Sequence, residues 1–506
     1  MPDLLQHHAS ILLVIVPLLA APIVALIPNG RYSWAFTLIV TTVCLYLSLQ
    51  ILSDVVTESV IHYELGGWKP PWGIVYEIDG LNALMAVMIS LVAVVVSMYA
   101  RTSVDFDIPK EKQPLFYSAF LLCFLGLLGM SMTGDIFNVF VFLEISSLST
   151  YALISMGRDR KALTAAFQYL ILGTIGATFF LIGIGLAYAA TGTLNMADLA
   201  DKLALSAHTR TIETALGFIL AGMGLKAAMF PLHRWLPRAY SYSPMVVSAF
   251  LAGTATKVAV YVFGRSVYTV FSPDYALSTI YDELLIIFGG VAVIYGAWQA
   301  IRQTHVKPLL AWSSISQIGY FMIGYGLLSS TGFMATMIHM FNHGLMKTAL
   351  FLAAGILLYQ TGTLKIDNLA GLARQSRLVF IVIVISGLSL IGVPGTVGFI
   401  SKWYLVLAAV ELQAWGIVAV ILIGSLMAIV YVWKIVETLY FQPVDTPQVQ
   451  VKKIPLWPLA TPALFLALSC IYFGINTTIT VNTAKAAVNS IGIQSGKVSL
   501  PGNVHD

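Results

Sequence analysis

Long apolar windows separated by short polar stretches give the first picture of this chain. Windows of about 18 or more apolar residues, the length a helix needs to cross the hydrocarbon core of a bilayer, recur at roughly 11–28, 33–53, 81–100, 115–133, 136–156, 164–190, 211–230, 244–267, 284–301, 309–328, 331–358, 378–400, 402–440 and 455–475. They predict an all-α, polytopic membrane protein with about fourteen transmembrane helices. The 402–440 window divides: Lys402 to Val410 finish a broken twelfth span, and a thirteenth begins near Trp415. The longest polar stretches, 54–80 and 441–456, read as loops, and the last thirty residues as a weakly amphipathic tail.

Composition agrees. Hydrophobic residues make up 58% of the 506 positions and charged ones 10%, with mean hydropathy +0.86, which excludes a soluble globular chain. The first ten residues carry Asp3, His7 and His8 instead of a basic segment, and Pro17 and Pro22 interrupt the following run, so the first span reads as retained. Cys44, Cys123 and Cys470 all fall inside spans and suggest neither a disulfide framework nor a zinc cluster.

Charge becomes informative by location. Loops after odd-numbered spans hold 16 of the 27 basic residues, among them Arg101, Lys110, Lys112, Arg158, Arg160, Lys161, Arg302 and Lys307. Loops after even-numbered spans hold Lys69, Lys202, Arg210 and Arg265, and the tail adds Lys485 and Lys497. The excess of Lys and Arg marks the cytoplasmic side, so both termini are expected on the outer face of a cell inner (plasma) membrane. Five lysines remain inside spans, Lys226, Lys257, Lys347, Lys402 and Lys434, together with one acid, Glu144. An ionisable group at bilayer depth costs a few kcal/mol or more and by default marks an ion or proton pathway.

A weak internal repeat organises these residues. TGTLNMADLA at 191–200 matches TGTLKIDNLA at 361–370, and EISSLSTY at 144–151 matches SSISQIGY at 313–320, offsets of 170 and 169. Five spans separate each pair, and an odd number of crossings inverts the second copy. The expected organisation is an N-terminal three-helix segment (1–112), a first five-helix repeat (113–270), a second, inverted repeat (271–441), and a last helix with a tail (442–506). Lys226 then corresponds approximately to Lys402 and Lys257 to Lys434, whereas Glu144 aligns with Ser313. Broken helices, tolerated at membrane depth only where they line a cavity, are expected at Gly222, Gly224 and Pro231 in the seventh span and at Gly392, Pro394, Gly395 and Gly398 in the twelfth. An ordinary packing kink is the competing explanation for either alone.

Three constellations carry candidate chemistry. Burial and a nearby opposite charge push a lysine's proton affinity in opposite directions, so Glu144 beside Lys226 forms a proton switch or, alternatively, a static ion pair. Lys257, Lys347, Lys402 and Lys434 form a string of bases whose affinity burial readily tunes, unless some snorkel to an interface. His339, His343 and Lys347 recur every fourth residue on one helix face, with Ser313, Ser314, Ser316 and Gln317 as polar partners on the preceding span. The histidines suit a proton relay or simple inter-helix hydrogen bonds, and a metal site lacks a third ligand. Asp135 reads as a helix cap, and Arg234 and Arg238 as topology determinants. Nucleotide, dinucleotide and iron–sulfur motifs are missing. No cofactor is expected, and any redox or nucleotide energy source would belong to another chain.

TGDIFNVFVFLEISSLSTYALIS (133–155), GLKAAMFPLHRWLPRAYSYSP (224–244), AFLAGTATKVAVYVFGR (249–265) and FNHGLMKTALFLAAG (341–355) resemble the antiporter-like subunits shared by Mrp-type cation/proton antiporters, respiratory complex I and membrane-bound hydrogenases. GGWKPPWGIVYEIDGLNALM (66–85) and Lys402 look most similar to the Mrp D type and its hydrogenase counterpart. The resemblance implies a proton path through hydrated half-channels joined along a polar axis, with the family's charged positions falling on Glu144, Lys226, Lys257 and Lys402. It also implies partner membrane subunits and exchange of protons for a monovalent cation such as Na⁺. The alternatives are a proton-pumping subunit of a hydrogenase or NADH:quinone oxidoreductase, and a structural scaffold with inert buried charges.

Overall fold

A computed structural model describes residues 8–58, 60–205, 209–271, 280–442, 452 and 454–490; the tail beyond 490, with Lys497, and Lys453 lie outside the described residues. The chain is an α-helical, polytopic membrane protein. Nineteen α-helices occur among the described residues. They are α1 (Ala9–Leu26), α2 (Gly30–Glu58), α3 (Gly80–Asp107), α4 (Gln113–Met132), α5 (Ile136–Ser155), α6 (Lys161–Thr191), α7 (Met196–Leu205), α8 (Arg210–Lys226), α9 (Trp235–Tyr242) and α10 (Met245–Gly253). There follow α11 (Ala255–Arg265), α12 (Tyr281–Arg302), α13 (Val306–Gly326), α14 (Ser330–Thr361), α15 (Arg377–Ile391), α16 (Val397–Glu411), α17 (Trp415–Tyr440), α18 (Leu456–Ile475) and α19 (Thr478–Ser490). Among the described residues eleven helical segments, α10–α11 counted as one, are long and apolar enough to cross a membrane, or twelve if a bent pair at α15 counts as one span. The 402–440 window does divide, α16 ending at Glu411 and α17 starting at Trp415.

The 54–80 stretch is not all loop. Ile61–Glu64 (β1) pairs antiparallel with Val75–Ile78 (β2), Ile61 opposite Ile78 and Glu64 opposite Val75. The β2 face buries Val75, Tyr76 and Ile78 while β1 stays half exposed, so too few apolar residues line up for a window to register. Asp79 then caps α3, accepting from the backbone N–H groups of Leu81 and Asn82. Asp135 caps α5 in the same way through Asn138, at 2.7 Å.

Helix α14 is the axis of the bundle. It packs against α3, α10, α13, α15, α16, α18 and α19, and nearly all of its residues are buried. At the periphery, α6, α12 and α17 expose large apolar side chains such as Phe167, Ile287 and Leu422. Such a ring of apolar surface matches a lipid or protein environment rather than water.

Breaks fall in both expected segments, although Gly222 and Gly224 stay helical within α8 and the first break, around Pro231, begins only after Lys226. After α8 ends at Lys226 the chain is non-helical until Trp235, with Ala228 at φ +55°, a strained value for a residue with a β-carbon. Between α15 and α16, Gly392 (φ +93°) and Gly395 (φ +86°) take conformations that favour glycine, and Pro394 between them supplies no N–H donor. Gly398 sits directly on the Ser389 carbonyl, where no side chain would fit.

Backbone geometry repeats at the offset seen in the sequence. Asp135 bridges Asn195 and His305 bridges Lys365, a step of 170 residues at both ends. Gly192 and Gly362, also 170 apart, close α6 and α14 with φ +74° each.

Candidate ion-translocation site

Lys226 is the last residue of α8, held there because the helix stops at the break. Its ammonium is buried and donates to Ser147 Oγ at 2.7 Å and Tyr151 OH at 3.3 Å, both from α5. The rings of Tyr151 and Tyr169 lie 5.8 and 6.0 Å away. Glu144, half-buried one turn before Ser147, makes no ion pair with Lys226. The structure thus brings acid and lysine into one neighbourhood without the static pair.

A bridge of aromatic groups leads onward. Tyr169 stacks on Trp235 at 3.8 Å between centroids, and Trp235 meets Tyr240 edge-on. Tyr240 lies beside Thr256, whose Oγ1 accepts from Lys257 at 3.3 Å. Lys257 is fully buried in the first turn of α11, and its ammonium also donates to the Ala252 carbonyl freed by the interruption between α10 and α11.

The second half continues on α14. Lys347, fully buried, donates to Ser313 Oγ at 2.6 Å and to the Leu310 carbonyl at 2.9 Å, both on α13. His343 and His339 stand on the same face, with parallel rings and centroids 5.7 Å apart. His339 Nδ1 bonds Ser401 Oγ at 2.8 Å, next to Lys402. The Lys402 ammonium donates to the Leu390 and Ile391 carbonyls at 3.1 and 2.9 Å and to Ser425 Oγ at 3.1 Å, with the Tyr320 ring 5.0 Å away. Lys226 with Tyr151 and Lys402 with Tyr320 are therefore alike, the tyrosines being 169 residues apart.

Buried polar atoms are ordinarily hydrogen-bonded to protein or to ordered water. Along this file, both ring nitrogens of His343, Nε2 of His339 and Oδ1 of Asn342 have no hydrogen-bond partner among the described residues. None of the four lysines pairs with a carboxylate among the described residues. Buried and without a carboxylate partner among the described residues, with hydroxyls and imidazoles beside them, these groups are the candidates for a proton path.

Lys434 stands apart. Half-buried on α17, it donates to the Ile301 and Gln303 carbonyls at 3.1 and 2.8 Å, the end of α12, where a cation suits the helix dipole. Two basic residues that the loop census placed outside the spans are largely covered instead. Arg265 pairs with Asp79 at 2.6 Å, also bonding Asn82 and Tyr261. Lys307 reaches the Ser243 carbonyl. Lys307 lies two residues before its predicted window, so moving that boundary by half a turn would have flagged it, whereas Arg265 already lies inside the end of the 244–267 window and is counted with the following loop.

A bundle of apolar helices with breaks beside buried, unpaired cations defines an integral membrane protein of the ion-translocating class. Residues 133–428 match the Proton_antipo_M family, NADH:quinone oxidoreductase/Mrp antiporter, TM, and the chain belongs to that family. It is 38% identical over 443 residues, 87% of this chain and 88% of the other, to the NADH-quinone oxidoreductase subunit N of Desulforudis audaxviator. With the D-type Na(+)/H(+) antiporter subunit of Alkalihalophilus pseudofirmus it shares 32% identity over 77% of this chain and 78% of the other. A subunit of the archaeal membrane-bound sulfane sulfur reductase, a respiratory membrane complex, superposes with a TM-score of 0.86 at 30% identity, covering 95% of this chain and 97% of that one.

Proposed function

We propose that this chain is a proton-translocating, antiporter-like subunit that works with other membrane subunits, in a complex of the Mrp cation/proton antiporter type. The observation that carries the reading is the file Lys226, Lys257, Lys347, His343, His339, Lys402, buried throughout and free of carboxylate pairing among the described residues. In this reading Glu144 and Lys226 open the path, and a proton arriving at Lys226 passes by way of Lys257 to the α14 groups. Lys402, beside the second break, exchanges it with an aqueous side, and the unpartnered His339, His343 and Asn342 atoms mark where water joins the file. The matched bridges, glycine caps and Lys–Tyr pairs support two five-helix repeats of inverted topology; about fourteen spans with both termini outward is the reading that the apolar windows and the loop charges support. Membrane partners are supported by the complexes in which the similar proteins are found.

The test is Na⁺-dependent proton exchange in everted vesicles carrying the intact complex. Lys226→Ala should abolish it while assembly persists; wild-type exchange by an assembled variant overturns the reading. A second reading, a redox-driven pump, is favoured by the 38% identity to an oxidoreductase subunit N. The two share channel chemistry and differ in energy source, so the subunits that copurify with the native chain decide between them.

A further inference from the structure

We infer that a cavity beside the first break is a binding site for an anionic phospholipid, whose phosphate sits between Arg234 and Arg238 and whose occupancy braces the break next to Lys226. The cavity holds about 1090 Å³ between α6, the segment 230–234, α9 and those ends of α12 and α13 that meet at an odd-numbered loop. Arg234 lines it from the break and Arg238 from α9, and both are exposed. Neither meets a carboxylate among the described residues: Arg238 donates to Gln168 Oε1 at 2.8 Å, and no acid lines the cavity. His233 adds a neutral polar contact. It lines the cavity, is 5% exposed, and its Nδ1 has no hydrogen-bond partner among the described residues, so a headgroup hydroxyl can meet it.

The remaining wall selects a lipid over a soluble anion. Phe230, Trp235, Tyr295 and Trp312 face the cavity, and Tyr295 also lines a groove of about 680 Å³ between α12 and α17. That groove carries no charged side chain, and Ile287, Val291 and Trp298 in it are exposed. From Trp298 back to Ile286, α12 rises about 18 Å, close to one leaflet of a hydrocarbon core about 30 Å thick. A phosphate between the two guanidiniums, with an acyl chain laid along α12, fits both spaces; a free anion accounts for the first alone. Arg302, 4.8 Å from the Trp298 ring, and Lys434, on the Gln303 carbonyl, set further cations at the same end of α12. Arginine takes phosphate through paired N–H bonds, basic pockets between spans hold phospholipid headgroups, and Trp and Tyr favour this interfacial level.

Trp235 joins the cavity to Lys226. Its Nε1–H donates to the Leu225 carbonyl at 2.9 Å, one residue before the lysine, and its ring stacks on Tyr169, which lies 6.0 Å from the lysine's ammonium. Arg234 directly precedes α9 and Arg238 lies one turn along. A single phosphate held by both therefore fixes the start of α9, and with it Trp235, against the break. The competing occupant is an acidic helix of a partner subunit.

The test uses the intact complex in liposomes that contain a photoactivatable phosphatidylglycerol with the diazirine in its acyl chain. Mass spectrometry should place the label within 286–298 or 414–420, at least tenfold above a phosphatidylcholine probe with the same chain. Arg234→Gln with Arg238→Gln should lose this preference, and Arg234→Lys with Arg238→Lys, which keeps both charges, should retain it. Equal labelling by the two probes, or preference that survives the Gln pair, overturns the site. So does the absence of label from these segments, as expected if a partner subunit covers them, or displacement by excess inorganic phosphate, as expected of a soluble-anion site. The brace is read separately: Na⁺-dependent proton exchange by the wild type should fall at least threefold in phosphatidylcholine alone, whereas the Gln pair should be equally slow with or without phosphatidylglycerol. Wild-type exchange indifferent to phosphatidylglycerol overturns the brace. Labelling requires no proton movement, so Lys226→Ala should label like the wild type, and failure of the lipid site is distinguished from failure of the proton path.

Discussion

Replacing Lys402 by methionine separates a proton carrier from a structural staple. Methionine nearly matches the lysine in length but removes three donated hydrogen bonds, to Leu390, Ile391 and Ser425, and the ring contact with Tyr320. Hydrogen bonds from a charged group contribute about 1.5–3 kcal/mol each. Against that gain stands the penalty of holding an ammonium away from water, several kcal/mol even after relaxation. The two nearly cancel, so the main loss is that two carbonyls at the end of α15 are left without the lysine as donor. A buried acceptor left bare costs about 1–3 kcal/mol, and the open break lets the pair recover part of it, for a net loss of about 2 kcal/mol. The purified complex should therefore assemble and melt only a few degrees lower, while proton exchange in everted vesicles falls below a hundredth of the wild-type rate. Lys402→Arg preserves the charge and the carbonyl bonds but holds its proton, and should be equally inactive. Exchange above a tenth of wild type in the methionine variant, or rescue by arginine, would show that Lys402 braces the break without carrying protons.

Two other substitutions test groups at the ends of the helices. Arg265→Met leaves the Asp79 carboxylate buried without its partner and should destabilise the protein by about 3–5 kcal/mol, seen as a lower melting temperature and a poor yield of folded protein; adding Asp79→Asn, which still caps α3, should recover most of that loss. Lys434→Gln retains a donor for the Ile301 and Gln303 carbonyls and should transport within about twofold of wild type, a cation at a helix end being worth about 0.3–1 kcal/mol; loss of exchange with normal assembly would return Lys434 to the proton file.

Membrane segments were legible because lipid imposes one demand on every position of a span, and a window average reads it directly. The breaks were legible for a related reason: Gly392, Pro394 and Gly395 have backbone preferences that no neighbour need supply. The hairpin at Ile61–Ile78 was not, since four-residue strands bury too little to register and their pairing is set across a ten-residue gap. Which partners a buried lysine has was hidden as well. Glu144 is conspicuous as the lone acid, but that Lys226 bonds Ser147 and Tyr151 depends on how α5 and α8 cross. Sorting charges by loop misplaced Lys307 and Arg265 because it treats a helix end as wet, whereas in a bundle the first turn, as at Lys307, or the last, as at Arg265, can be covered by neighbouring elements.

The unequal chemistry of the two halves follows from that packing. Where the first half has Glu144, the second has Ser313 at the matched position, and its hydroxyl is taken by Lys347 at 2.6 Å. A carboxylate there would lie against an ammonium and trap its proton in a tight pair, as Asp79 fixes Arg265. On α5 no lysine approaches Glu144 closely, so the acid can bias Lys226 without holding it. The second half reaches a comparable balance differently, through a serine that leaves Lys347 uncompensated and two imidazoles between it and Lys402. A graft tests whether this difference matters: Ser313→Glu should form an ion pair with Lys347, leave the fold intact and stop proton exchange, whereas active exchange would mean that the file tolerates a paired lysine and that its unpaired state is incidental.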